Sequence, residues 1–339
     1  MTHGLSDEVS PDLLLDAVLA YQKTGAIRAA LSLDLFSAIP ETDGTPEAIG
    51  PRVNASVRGV RILCDYLTVQ GFLAKEGTRY RLTPSSATFL TRSSPAYMGS
   101  IADFMASPEM IALWLDDPPS YVRNGGSPGL ANIAPDNPVW VKFARAMAPF
   151  MAPQAAAIAA EVAGWQPPVR RVLDIAAGHG MFGIAVGKAV PGAEITALDW
   201  PAVLQVAEAN AKEAGMASRY RLKPGSAFDL DWGGDLDLVL LTNFLHHFDV
   251  ETCSALLAKA RGSLQPQGRV IALEFVPNED RISPPRPATF AFMMLASTPK
   301  GDAYTEREYV AMGKAAGFGR MRLAPTPPSP QSMLIFDRA

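Results

Sequence analysis

Histidine and cysteine are scarce in this chain: its 339 residues include four of the first and two of the second. Cys64 and Cys253 stand far apart in the sequence, without metal-ligand spacing, which argues against a cysteine metal cluster and a disulfide-stapled fold. Both are expected as inert core thiols in a reducing compartment. A dominant charge is missing too. With 30 basic and 34 acidic residues the net charge is −4, so no general field gathers nucleic acid or an anionic membrane. No stretch approaches the ~20 apolar residues that span a bilayer, and the opening MTHGLSDEVSPDLLLDAV lacks the basic flank and unbroken apolar run of a signal peptide. A cytoplasmic protein is expected, and its length suits two domains better than one core.

What is present falls into two patterns. Residues 11–38 carry apolar positions at helical spacing (Leu14, Leu15, Val18, Leu19, Ile27, Leu31, Leu35), closed by Pro40 and Asp43-Gly44. TPEAIGPRV, SVRGVRILCDYLTVQGFL and AKEGTRYRLTPSS then read as helix, helix and small hairpin, a winged-helix outline. Arg52, Arg58 and Arg61 keep a DNA-binding reading open, but the acidic company of Glu41, Asp43, Glu47 and Asp65 favours a dimerisation or scaffold role. A Pro/Gly-rich loop at 117–138, a helix from about 139 to 162 and the proline pair of GWQPP follow. Beyond Val169, the β-rich runs RRVLDIA, AEITALD, RYRLKPG, LDLVLLT and GRVIALEF alternate with amphipathic helices, which predicts a mostly parallel sheet covered on both faces. A capping box from Thr305 to Glu308 opens a final helix, and RMRLAP and SMLIFD bracket APTPPSP as an antiparallel hairpin.

Gly178, Gly180 and Gly183 in VLDIAAGHGMFGIAV match G-x-G-x-x-G between a strand and a helix. That loop admits a dinucleotide or S-adenosylmethionine, and Asp199 at the end of the next strand suits the ribose of either. Asp174 separates the two. A carboxylate near the carboxyl end of its strand repels a pyrophosphate and favours the sulfonium and ammonium groups of the methyl donor. The competing reading has Asp174 capping the turn that follows.

In order along the chain, LDIAAGHG, ALDWPAV, PGSAF, LTNFLHHFD, RVIALEFV, MLASTPKGDAYTEREY and AAGF resemble the blocks of class I S-adenosylmethionine-dependent methyltransferases. Within that class, the resemblance is to O-methyltransferases of the caffeic-acid and acetylserotonin type. It spans nearly the whole length and implies an α/β fold. A mainly α winged-helix dimerisation domain (1–95) and a helical linker contributing to the substrate pocket (96–166) would precede a Rossmann-like domain (167–339) whose mostly parallel sheet ends in an antiparallel strand. The resemblance places Gly178 and Gly180 at the donor's methionine moiety, Asp199 on its ribose and Trp200 near the adenine. Ser226, Ala227 and Phe228 of PGSAF, with Thr242, complete that site. Where the family has an acidic residue after the glycine of PGSAF this chain has Ser226, so Phe228 or Asp229 is expected to compensate; Phe228 reads equally well as core.

His246 and His247, half of the histidines, follow LDLVLL. Methyl transfer from a sulfonium is an in-line displacement, and a phenol with a pKa of about 10 needs to lose its proton at or before attack. Imidazole suits that task. The resemblance makes His246 the general base, puts His247 where the family commonly has aspartate, and makes Glu274 the carboxylate that positions the base. The second family glutamate falls on Ala303, with Asp302 adjacent. In an extended chain the two rings point opposite ways, which leaves one of them structural. Asp249 fits an N-cap. Phe143, Met147 and Phe150, with Met294 of ATFAFMMLAS, are expected to wall the acceptor or to fill core. His179 is assigned no role.

The expectation is a homodimer that moves a methyl group from S-adenosylmethionine to a hydroxyl of a small aromatic or polyketide-like acceptor, leaving S-adenosylhomocysteine. No metal, nucleic acid or membrane partner is expected. The alternatives are methylation of nitrogen or carbon, use of the cofactor without methyl transfer, and a winged-helix regulator that senses a ligand.

Overall fold

The protein, a computed structural model, is described over residues 9–128 and 138–338; positions 129–137 of the expected Pro/Gly-rich loop lie outside the described residues. Internal contacts divide the chain into two units, Met1–Ala106 and Ser107–Ala339, a division that falls inside the expected 96–166 segment.

In the first unit, α1 (Asp12–Ser32) stops where Asp34 takes a left-handed φ of 52°, and α2 (Leu35–Ala38) restarts the chain. The expected single helix is therefore broken near its end. Thr45 and Ser56 cap α3 (Pro46–Arg52) and α4 (Val57–Val69) by accepting the N–H groups of Ala48 and Gly59. The antiparallel pair β1 (Leu73–Glu76) and β2 (Arg79–Leu82) forms the wing, followed by α5 (Pro84–Phe89) and α6 (Ile101–Met105). Leu35, Phe36, Ile49, Val60, Cys64, Leu67 and Tyr80 pack the core. Two of the three arginines that kept a DNA reading open are paired with carboxylates, Arg52 with Glu41 at 2.5 Å and Arg61 with Asp65 at 3.0 Å. On α1, by contrast, Leu13, Leu14, Leu15, Val18 and Leu19 are exposed.

The second unit opens with α7 (Pro108–Leu115), α8 (Pro118–Asn124) and the long α9 (Pro138–Ala163). Alternation then follows: β3 (Arg171–Ile175), α10 (Met181–Ala189), β4 (Glu194–Asp199), α11 (Pro201–Glu213), β5 (Tyr220–Pro224), β6 (Leu236–Thr242), α12 (Val250–Ser263) and β7 (Leu264–Glu274). The remaining elements are α13 (Pro285–Ser297), α14 (Glu306–Ala315), β8 (Arg320–Pro325) and β9 (Ser332–Asp337). Both halves of the capping box on α14 are formed, between Thr305 and Glu308. The seven strands run in the order β5-β4-β3-β6-β7-β9-β8; β3 to β7 are parallel, and β9 lies antiparallel between β7 and β8. Strands covered on both faces need continuous apolar runs, and LDLVLLT of β6 is buried at every position but Asp237.

This order reverses direction at β3, whose neighbours are β4 and β6. At such a switch point the loops beyond the carboxyl ends of the strands part and leave a crevice. The glycine loop after β3, Asp199 after β4, the histidine pair after β6 and Glu274 at the tip of β7 all emerge at that end.

Candidate active site

The chain leaves β3 into a tight loop in which Ala176, Gly178 and Gly180 have φ of 51°, 57° and 74°. A side chain on Gly180 would put its Cβ 2.5 Å from the Tyr220 hydroxyl, so close packing as well as conformation demands glycine there. Asp199 crosses from β4: its Oδ2 accepts the Gly178 N–H at 2.8 Å and its Oδ1 the Trp200 N–H at 2.6 Å. Remaining lone pairs on both oxygens suit ribose hydroxyls.

Asp174 is a correction. Its carboxyl group is fully buried rather than presented to the crevice, and its Oδ2 accepts the Gly183 N–H at 3.1 Å in the first turn of α10. The reading in which it caps the turn is therefore the geometric one, and burial pushes its pKa up to about 8. His179, left without a role above, takes another first-turn amide: its Nδ1 accepts the Met181 N–H at 3.1 Å, and burial holds the ring neutral with a pKa near 4. A phosphate-binding helix end presents free N–H groups to its ligand. Two of those at α10 are engaged internally, and among the described residues no cation pairs with Asp174 or Asp199. Such a loop suits a cationic, ribose-bearing group and is ill matched to a pyrophosphate.

The histidine pair sits on a single 3₁₀ turn, Leu245–His247, entered through Asn243 at a left-handed φ of 54°. The chain is thus not extended here, and the rings do not diverge: their centroids lie 4.3 Å apart at 33°. Glu274, fully buried, organises the turn from β7. Its Oε1 accepts the N–H groups of Phe244 (3.2 Å) and Leu245 (2.9 Å), and its Oε2 lies 2.5 Å from His246 Nδ1. A carboxylate only accepts, so that bond sets the hydrogen on Nδ1 and leaves the Nε2 lone pair free. His247 differs. Its Nδ1–H donates to the Phe244 carbonyl at 3.3 Å, and burial, with the neighbouring imidazole, pushes its pKa down to about 3. Further support comes from below, where the Cys253 thiol donates to the Leu245 carbonyl at 3.1 Å, and from the side, where the Asp302 N–H donates to the His246 carbonyl at 3.0 Å.

The O-methyltransferase domain family matches residues 116–319, more than half of the chain, and an O-methyltransferase dimerisation domain matches residues 15–92. The chain belongs to the O-methyltransferase family. A solved structure from Nostoc punctiforme PCC 73102, assigned to the O-methyltransferases, is 45% identical with a TM-score of 0.92, covering 98% of this chain and 100% of that one. The 3-hydroxy-5-methyl-1-naphthoate 3-O-methyltransferase of Streptomyces sahachiroi is 27% identical, covering 92% of this chain and 90% of its own. Human N-acetylserotonin methyltransferase, solved in complex with S-adenosylmethionine, shares the fold at 22% identity and a TM-score of 0.83, with 99% of each chain covered.

In this O-methyltransferase the remaining expected residues are distributed unevenly. Trp200 packs against a small buried cluster of Ala144 from α9 with Val203 and Val206 from α11. The Ser226 hydroxyl oxygen accepts the Phe228 N–H at 3.1 Å, and the carbonyl of buried Ala227 accepts from Trp232 and Lys259. Phe228 is not simple core: it is half-exposed and packs edge-on against Phe248, 5.2 Å away. Thr242 is buried at the end of β6, and Asp249 caps α12 through the Thr252 N–H. Asp302, which neighbours the position of the missing glutamate, turns its side chain to another partner. Its carboxylate pairs with Arg281 at 3.4 Å, and Ala303 is fully buried.

Phe143 and Phe150 are half-buried and Met147 buried on α9, and Met151 of the same helix meets the histidine loop, its sulfur accepting from Asn243 at 3.7 Å. Met294 is likewise buried, and from α13 the ring that meets His246 is Phe290, one turn earlier, edge-on at 4.9 Å. Phe290 in turn stacks on Phe275 at 4.0 Å. Both phenylalanines were missed by the sequence reading, although Phe275 directly follows Glu274 and Phe290 lies in the same block as Met294.

Proposed function

We propose that this enzyme methylates a hydroxyl of a flat aromatic or polyketide-like acceptor, with S-adenosylmethionine as donor, His246 as general base and Glu274 as the group that orients it. The observation that carries this reading is the 2.5 Å contact between His246 Nδ1 and the buried Glu274 carboxylate. It turns Nε2 into the proton acceptor and matches the imidazolium, once formed, with an opposite charge. His247, which burial keeps from protonating, is the poorer acceptor of the two. The stacked rings of Phe275 and Phe290 beside His246 favour a planar, uncharged partner, in keeping with the naphthoate substrate named for the Streptomyces relative. When bound, the donor supplies an electrophilic methyl group on a cationic sulfur. Gly178, Gly180 and Asp199, with Trp200 and Phe228 for the adenine, would hold it.

The test is incubation with methyl-labelled donor and a panel of phenols, amines and activated carbon acids. Label on a phenolic oxygen that disappears in His246→Ala, while donor affinity stays within a few fold, supports the reading. Label on nitrogen or carbon, or a His246→Ala enzyme as active as the parent on an un-ionised phenol, refutes it. The exposed leucines of α1 form the interface of a homodimer in this proposal; Leu14→Glu combined with Val18→Glu should shift the protein from dimer to monomer in analytical ultracentrifugation.

A further inference from the structure

The turn that carries His246 starts at Asn243, whose left-handed φ of 54° is a region that side-chain-bearing residues avoid. Asparagine enters it more readily than most, and its surroundings decide whether it stays. The Asn243 N–H donates to the Leu273 carbonyl at 2.9 Å, carrying the β6–β7 ladder one residue past Thr242. Its side chain reaches elsewhere. Oδ1 accepts from Gln331 Nε2, and Nδ2 donates to the Met151 sulfur at 3.7 Å. Gln331 Oε1 accepts in turn from Gln154 Nε2 at 3.4 Å, and the run ends at Gln154 Oε1, which has no partner among the described residues. Three amides thus form a line from α9, past the head of β9, to the histidine turn. Gln154 and Gln331 are each 1% exposed, so water offers them little replacement for a broken bond.

Gln331 is itself fixed. Its carbonyl accepts the N–H (3.3 Å) and the hydroxyl (2.7 Å) of buried Thr326, and its own N–H donates to Ser329 Oγ at 3.1 Å. One residue on, Ser332 pairs with Glu274 in the β7–β9 ladder. That ladder therefore delivers two side chains to the turn: Glu274 to the amides of Phe244 and Leu245 and the ring of His246, and Gln331 to Asn243. We propose that Gln331 is a positioning residue for the general base: by anchoring the Asn243 side chain it holds the left-handed step that opens the 3₁₀ turn, and so keeps His246 Nε2 aimed at the acceptor hydroxyl. This rests on the base assignment above. A change of φ at Asn243 swings every residue after it, and a misplacement of about 1 Å at a reacting group can lower a rate about 10²-fold.

Single-turnover methylation by the full chain, with one phenol that is un-ionised at the assay pH and one already ionised, tests this alongside donor Kd by calorimetry. Gln331→Met keeps the length of the side chain and removes the amide. Its rate on the un-ionised phenol should fall about 10²-fold, while the ionised phenol, which needs no base, and donor Kd should stay within about threefold. Glycine takes a left-handed φ without an anchor, so in the presence of Asn243→Gly the further loss from Gln331→Met should shrink to about threefold or less. A Gln331→Met enzyme within about threefold of the parent on the un-ionised phenol, equal losses on both phenols, or the same loss with and without Asn243→Gly would each overturn the proposal. Should Gln331→Met not fold, Asn243→Ala against Asn243→Gly decides: alanine, with neither anchor nor left-handed tolerance, should be at least about tenfold the slower on the un-ionised phenol alone, and equal rates overturn the proposal. A His246→Ala enzyme as active as the parent would instead count against the base assignment.

Discussion

Replacing Glu274 by glutamine tests the proposed base most directly, because the change keeps the shape and removes one charge. The amide oxygen can still accept the Phe244 and Leu245 N–H groups, so the turn should persist. At His246, however, an NH₂ group would then face Nδ1. The ring responds by moving its hydrogen to Nε2, and the free lone pair is lost from the face where a proton must be taken. Two unit charges about 4 Å apart at an effective dielectric constant of about 20 attract by about 4 kcal/mol. Losing that attraction for the imidazolium corresponds to about 10³ in rate, within the range of about 10² to 10⁴ usual for general-base catalysis. The assay is single-turnover methylation with both substrates saturating, alongside donor Kd by calorimetry. We expect a fall of about 10³ in rate, with donor Kd within about threefold. An acceptor whose phenol is already ionised at the assay pH should recover most of the loss, since it needs no base. A Glu274→Gln enzyme within tenfold of the parent on an un-ionised phenol, or equally slow on both acceptors, would refute the reasoning.

Two further outcomes follow from the same geometry. A Cβ on Gly301 would lie 2.2 Å from the His246 carbonyl oxygen, so Gly301→Ala should displace the histidine turn, cost about 1–3 kcal/mol by chemical denaturation and lower kcat more than it weakens donor binding; unchanged kinetics would show that the turn yields freely. Burial raises the Asp174 pKa in the folded chain from 3.8 to about 8, so the folded state holds more protons than the unfolded one, and its stability is lost as pH rises across that window. Without donor, Asp174→Asn should therefore gain on the parent by about 1.4 kcal/mol for each pH unit between 5 and 7, read from denaturation midpoints; parallel curves would contradict a buried, protonated carboxyl.

The strand and helix alternation was legible because parallel strands buried on both faces need unbroken apolar runs, as in LDLVLLT, and because Thr45, Ser56, Asp249 and Thr305 mark helix starts with their own side chains. The grouping of Glu274 with the histidines was legible only through the family resemblance; the fold accounts for it, since β6 and β7 are adjacent parallel strands that end together. What escaped was direction. Whether Asp174 points into a crevice or beneath the next helix depends on the pleat and on which amide lies in reach, and Gly183 is nine residues away. The histidine rings were expected to diverge because nothing in TNFLHHFD announces that Asn243 turns left-handed and that a distant carboxylate winds the chain into a 3₁₀ turn. Phe275 and Phe290 carry no periodic signal that separates a site wall from ordinary packing.

Helix α10 gives its opening amides to the Asp174 and His179 side chains, and this narrows what the scaffold can become. If α9 and α13 wall the acceptor as proposed, variants with new side chains there can take up new acceptors while the loop beneath stays as it is. Exchanging the donor for a phosphorylated carrier is a larger undertaking, since both side chains would have to vacate the helix end together and the whole stretch from 174 to 183 be rebuilt around them. Diversification in this protein is thus channelled toward whatever receives the methyl group, and away from whatever supplies it.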